Sequence, residues 1–249
     1  MVRMLFEALI ALHILGGVTG ALAFWVPVIG QKGGDRHRKA GRIFVKALTL
    51  TGFCAMAMSL LTLWEPITTH PHLEGKFEPS FIRGIFGWMM LYLGVLTLNL
   101  IRYGWLCAYY PRDRLALREP VNLALQPLLV IAAANCAWQG WRIDQVLMIA
   151  ISFIGFATVA TNLWYMFKPK PSAVDWQKEH LKALVGAGIS VYTAFMAFGS
   201  VRILPELALN PIMWAIPLTI GVSIILYQWA RLDGRLRKSH TRPLPATKS

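Results

Sequence analysis
The sequence predicts an all-α fold: one bundle of seven transmembrane helices, with the N-terminus outside and the C-terminus inside. Three observations carry this reading. Of 249 residues, 56% are hydrophobic and only 15% charged, against roughly 45–50% and 25% in soluble domains. The apolar residues fall in blocks of about 20, the length that crosses a hydrocarbon core of ~30 Å. The basic residues lie between the blocks and favour one side. This composition excludes a soluble globular enzyme, and it is too apolar for intrinsic disorder.

The expected spans are 4–29, 42–64, 81–102, 121–139, 144–167, 183–204 and 209–230. The first begins Met1-Val2-Arg3 and could pass for a signal peptide. No small-residue cleavage site follows it, and Gly16, Gly17 and Gly20 suit a packed helix, so it is read as a span. Pro127 should kink the fourth span, and Pro211 suits the first turn of the seventh.

The segments 30–42, 102–120, 168–182 and 231–249 hold 19 of the 25 Lys and Arg. Arg3, Lys76, Arg83, Arg142 and Arg202 fall on the other side, and Lys46 lies within the second span. That asymmetry puts the basic side in the cytoplasm of a bacterial inner membrane. Residues 1–238 form a single transmembrane domain, and 239–249 are expected to be a disordered tail.

The net charge of +13 would suggest nucleic acid in a soluble protein. Here the basic loops meet the bilayer and its anionic lipid headgroups, and no nucleic-acid reading motif is joined to them. Trp25, Trp64, Trp105, Trp138, Trp141, Trp164 and Trp229 fall near span ends and form an aromatic belt. Cys54, Cys107 and Cys136 make neither a CxxC pair nor a disulfide framework.

Several polar groups could carry chemistry. His13 lies deep in the first span, on the face of Gly16, Gly17 and Gly20. It is either a heme or metal ligand or proton relay, or a neutral imidazole satisfied by a neighbouring helix. Glu7 reads as an interfacial carboxylate. His37 and His180 each precede an outward-running helix, in the echoing segments His37-Arg38-Lys39-Ala40 and His180-Leu181-Lys182-Ala183. If the second and sixth spans adjoin there, the pair could hold a metal or a heme iron. Arg38, Lys39 and Lys182 would then meet propionates or another anion. Otherwise they are interfacial histidines bonding loop backbone. His13 and His37 cannot be partners, because about 25 Å of helix separates His13 from the end of its span.

The loop His70-Pro71-His72 with Glu74 is a weak metal motif in what reads as a solvated loop. Gly186, Ser190, Thr193, Ala197 and Ser200 form one face of the sixth span, with Tyr192 beside it. With Asn99, Asn122, Gln126, Asn135 and Asn162 they could line a polar cavity, or act as interhelical glue. The sequence holds no GxSxG, Walker A, HExxH or intramembrane carboxylate pair.

The run His13-Ile14-Leu15-Gly16-Gly17 resembles the first helix of a family of uncharacterised bacterial multi-pass membrane proteins, catalogued as a domain of unknown function. The likeness continues through Gly33-Gly34-Asp35-Arg36-His37-Arg38-Lys39-Ala40-Gly41-Arg42-Ile43-Phe44-Val45. It returns at His180-Leu181, Tyr192-Thr193-Ala194-Phe195, Leu204-Pro205, Trp214 and Pro217. The resemblance implies a membrane protein without an established activity, and it marks His13, His37 and His180 as positions to test. The leading reading is a non-catalytic binding or structural membrane protein. The alternatives are a small-solute transporter lined by Ser190 and Thr193, and a heme- or metal-binding redox protein using His37 and His180.

Overall fold
The computed structural model describes residues 1–199 and 210–240. Arg202, Ser200, Leu204 and Pro205, and the tail beyond His240, lie outside the described residues. No strand occurs among those described. Seven helices are long and apolar enough to cross a membrane.

We label these helices α1 (Val2–Ile29), α2 (Asp35–Trp64), α3 (Pro79–Tyr109) and α4 (Pro120–Arg142). They continue as α5 (Val146–Phe167), α6 (Asp175–Ala194) and α7 (Pro211–His240). Wide π-type turns occupy Arg83–Met89 within α3 and Phe195–Gly199 after α6.

Four helices outrun the expected spans by about two turns or more. α2 begins at Asp35 instead of 42, and α6 at Asp175 instead of 183. α3 continues to Tyr109 instead of ending at 102, and α7 runs to His240, into the segment read as a tail. The reason is physical. Hydropathy marks the part of a helix that suits hydrocarbon, whereas backbone hydrogen bonding continues through charged residues once a helix is nucleated. His37 and His180 therefore sit within the first two turns of their helices and do not precede them. Pro127 lies inside an unbroken α4.

Local chemistry sets other ends. Glu119 caps α4: its carboxylate accepts the amides of Val121 at 3.0 Å and Asn122 at 2.7 Å. Pro120 then occupies the first turn, where a missing N–H costs nothing. Lys32 closes α1 by donating to the carbonyls of Pro27 and Val28.

The order of packing follows burial. α3 is the central helix, with 61% of its apolar window buried against at most 39% in any other. α2, α4 and α6 pack against it, while α1 lies on α2, α5 on α4, and α7 on α6. The core runs through Phe44, Leu48, Tyr92, Leu100, Tyr103, Leu129 and Met166.

Within this core four of the five amides read as cavity lining or glue are joined, Asn135 being the exception. Asn162 donates to Asn99 at 3.1 Å and to Gln126 at 3.4 Å, and Gln126 donates to the Asn122 carbonyl at 2.9 Å. Asn99 also reaches the Leu125 carbonyl at 3.2 Å. α3, α4 and α5 are thereby tied at one level.

The four basic segments gather at one end of the bundle. Arg114 donates to the Lys168 carbonyl, Arg118 to the Met166 carbonyl at 2.6 Å, and Lys32 lies near Arg231. Burial first, and then that arginine, hold the Lys32 ammonium below its ordinary pKa.

Candidate functional site: the paired histidines at the basic end
His37 and His180 face each other. Their ring centres are 6.4 Å apart and their planes are tilted by 57°. α2 and α6 reach this contact because both pack on α3, while α1 bridges them higher up. There Phe24 of α1 lies against Phe44 of α2, and its ring fills the space that the missing side chain of Gly188 leaves on α6.

The two imidazoles are held differently. Nδ1 of His180 bonds the Gly104 carbonyl at 2.9 Å. A carbonyl accepts only, so Nδ1 carries the proton and Nε2 is left with its lone pair. The His37 ring bonds the Pro27 carbonyl, while its Nδ1 is buried and has no hydrogen-bond partner among the described residues. An unsatisfied buried nitrogen costs about 1–3 kcal/mol unless something binds it.

Next to His180 in sequence, Glu179 centres a polar cluster that no sequence motif announces. Glu179 accepts from the Tyr103 hydroxyl at 2.8 Å and from the Lys182 ammonium at 2.5 Å. Lys182 also reaches Thr161 at 2.9 Å. Tyr103 is fully buried in α3. The signal available in the sequence was a carboxylate directly beside His180, at the polar approach to the sixth span. Arg38 is taken up by Asp35 at 2.6 Å and the Gly33 carbonyl at 3.0 Å. Lys182 is likewise committed to Glu179, so of the three expected anion partners Lys39 is the exposed one without a hydrogen bond among the described residues.

The other candidates lie elsewhere. His13 is half-buried, and its Nδ1 bonds the Thr51 carbonyl of α2 at 3.0 Å. That is the satisfied-imidazole arrangement, with backbone as the partner. Glu7 pairs with Arg3 at 2.9 Å on the exposed surface.

His70 is not solvated as the loop reading expected. It is buried between Phe6 and Phe86, with ring centres 5.3 and 4.4 Å away, and it contacts the Thr69 hydroxyl at 3.0 Å. The loop folds back because Pro66–Thr69 forms a helical turn against the bundle. Burial, reinforced by nearby His72, lowers the His70 pKa to about 4. No group of three or more His, Cys, Asp and Glu that could hold a metal occurs among the described residues.

Ser190 is half-buried and its hydroxyl contacts the Gly186 carbonyl of its own helix at 3.4 Å; Thr193 is buried. Neither lines either of two clefts on the surface. One, of about 250 Å³, is walled by Trp164, Tyr165, Lys168, Asp175, Lys178, Glu179 and Trp229. The other, of about 410 Å³, lies in the 67–79 loop at the opposite end.

Comparison with known proteins returns no matching family model, curated protein or solved structure. Any functional reading therefore rests on this chain's own residues.

Proposed function
We propose that this chain is a multi-pass protein of the bacterial inner membrane, related to the family it resembles. Its N-terminus is outside, and it binds heme iron between His37 and His180 at the cytoplasmic face. The observation that carries the reading is the 6.4 Å separation of the two rings. A metal about 2 Å from an imidazole nitrogen lies about 3.2 Å from the ring centre, so two imidazoles opposite one another on one metal stand about 6.3 Å apart. A tetrahedral arrangement would draw them closer.

Two further features support a metal. A ligating histidine characteristically donates its other N–H to a backbone carbonyl or carboxylate, as His180 does to Gly104. The buried Nδ1 of His37 beside it has no hydrogen-bond partner among the described residues and is open to a ligand.

Heme is favoured over a bare ion for two reasons. A bare ion of the zinc type takes four ligands, at least three of them protein side chains, and no such group exists among the described residues. A porphyrin supplies four nitrogens and asks the protein for two. The shell is also basic, with the exposed Arg36 and Lys39 close in sequence to His37. That shell disfavours a naked cation and suits propionates.

The test is heme and iron content of the purified protein and of His37→Ala and His180→Ala, with thermal melting to confirm folding. About one heme per chain, lost in both folded variants, is expected. Iron-free protein made under ample heme supply, or variants that retain full heme, would overturn the assignment.

A further inference from the structure
A cleft of about 250 Å³, reached by Glu179 next to His180, is walled by two lysines, two carboxylates and two tryptophans, with Tyr165. It lies where α5 ends, α6 begins and α7 passes. α5 and α6 touch only sparsely there, and α7 closes the far side through Trp229, whose indole donates to the Lys178 carbonyl at 3.2 Å.

The cleft's charges alternate and balance. Lys168 pairs with Asp175 at 2.7 Å, and Lys178 with Asp233 at 2.7 Å. Glu179 is held by Tyr103 and Lys182. Asp175 and Glu179 are 14% exposed, so both carboxylates are recessed in the wall and not on its rim. Trp164 stands at the mouth, 71% exposed.

We propose that this cleft binds the headgroup of a zwitterionic phospholipid, phosphatidylethanolamine, from the cytoplasmic leaflet. The inference rests on the membrane reading and is independent of the histidine pair. Charge selects the class. Beyond their internal ion pairs, Lys168 and Lys178 keep further ammonium N–H groups and Asp175 and Glu179 keep carboxylate lone pairs, so a strongly anionic ligand meets as much repulsion as attraction, whereas a zwitterion finds a partner for each end. The phosphate lies with Lys168 and Lys178, and the ammonium with Asp175 and Glu179.

The carboxylates can accept N–H bonds from a primary ammonium, which a trimethylated choline cannot give. Size agrees: drug-sized ligands fill about 300–1,000 Å³, so this smaller volume suits a headgroup whose acyl chains remain outside. The exposed Trp164 and the half-buried Trp229 provide the interfacial indoles against which glycerol and upper acyl chains lie.

The experiment is lipid-dependent thermal stabilisation of the detergent-purified full chain, with native mass spectrometry of retained lipid. The lipids compared are phosphatidylethanolamine, phosphatidylcholine and phosphatidylglycerol with identical acyl chains. Preference for the ethanolamine lipid by about tenfold over each of the others is expected. The double variant Lys168→Gln, Asp175→Asn keeps the net charge and should abolish the preference. Trp164→Ala changes an exposed side chain, so it keeps the fold and should weaken retention of the same lipid.

Equal binding of the three lipids, or tighter binding of phosphatidylglycerol, would overturn the proposal. So would a folded Trp164→Ala with unchanged retention. Soluble glycerophosphoethanolamine offers the same headgroup; stabilisation by it at lower concentration than by the lipid would overturn the lipid assignment.

Discussion
Single side chains divide into those that hold the bundle and those left free to bind. His13 belongs to the first kind. Its Nδ1–H donates to the Thr51 carbonyl, which lies within an apolar interface. His13→Leu should cost about 1–3 kcal/mol, the penalty for stripping a partner from a buried polar group, and leave heme content unchanged. Parallel loss of heme would place His13 in the site instead.

His70 gives a pH signature. Its folded pKa is about 4, against roughly 6.5 for an unfolded histidine. Between these values the unfolded chain binds the proton and the folded chain does not. Stability therefore falls as the pH drops from about 6.5 to about 4, by about 3 kcal/mol in full. His70→Gln, measured by melting temperature against pH, should flatten that slope. A slope unchanged in the variant would assign it to other groups.

At the scale of elements, α1 and α2 make the closest helix pair. A Cβ on Gly16 would stand 2.5 Å from the Thr51 hydroxyl and 3.1 Å from the Ala47 carbonyl. One on Gly20 would stand 2.5 Å from Leu48. The small-x3-small spacing in the sequence anticipated this approach, and it also aims His13 at Thr51. Gly16→Val should destabilise the protein by about 1–3 kcal/mol, since backbone as well as side chain must shift. Calorimetry in detergent checks it, and a neutral outcome would mean that the helices separate freely.

Legibility differed between elements. Seven apolar blocks were plain, because only helices satisfy their backbone across hydrocarbon. The charged starts of α2 and α6 were not, since Asp35–Arg42 and Asp175–Lys182 are polar in composition yet helical in structure. The histidine pair was legible as two residues at one depth. Its contact was not, because adjacency of α2 and α6 depends on how both pack on α3. Glu179 and Tyr103 escaped notice because their pairing spans 76 positions of sequence.

At the scale of the molecule, the basic segments converge on the end that holds the histidine pair and the charged cleft. In the proposed topology, which follows the positive-inside rule, that end is cytoplasmic. Cysteine introduced at Lys170 should therefore react with a membrane-impermeant maleimide only in inverted vesicles, and cysteine at Lys76 only in right-side-out ones. The native Cys54, Cys107 and Cys136 are all buried and give little background. The reverse pattern would invert the topology and place the site outside.

If His37 and His180 together hold one heme iron, the absorption spectrum of the purified protein will show a Soret band when oxidised and sharp α and β bands after dithionite reduction. A spectrum showing only tryptophan and tyrosine absorption, from cells with ample heme, would contradict it.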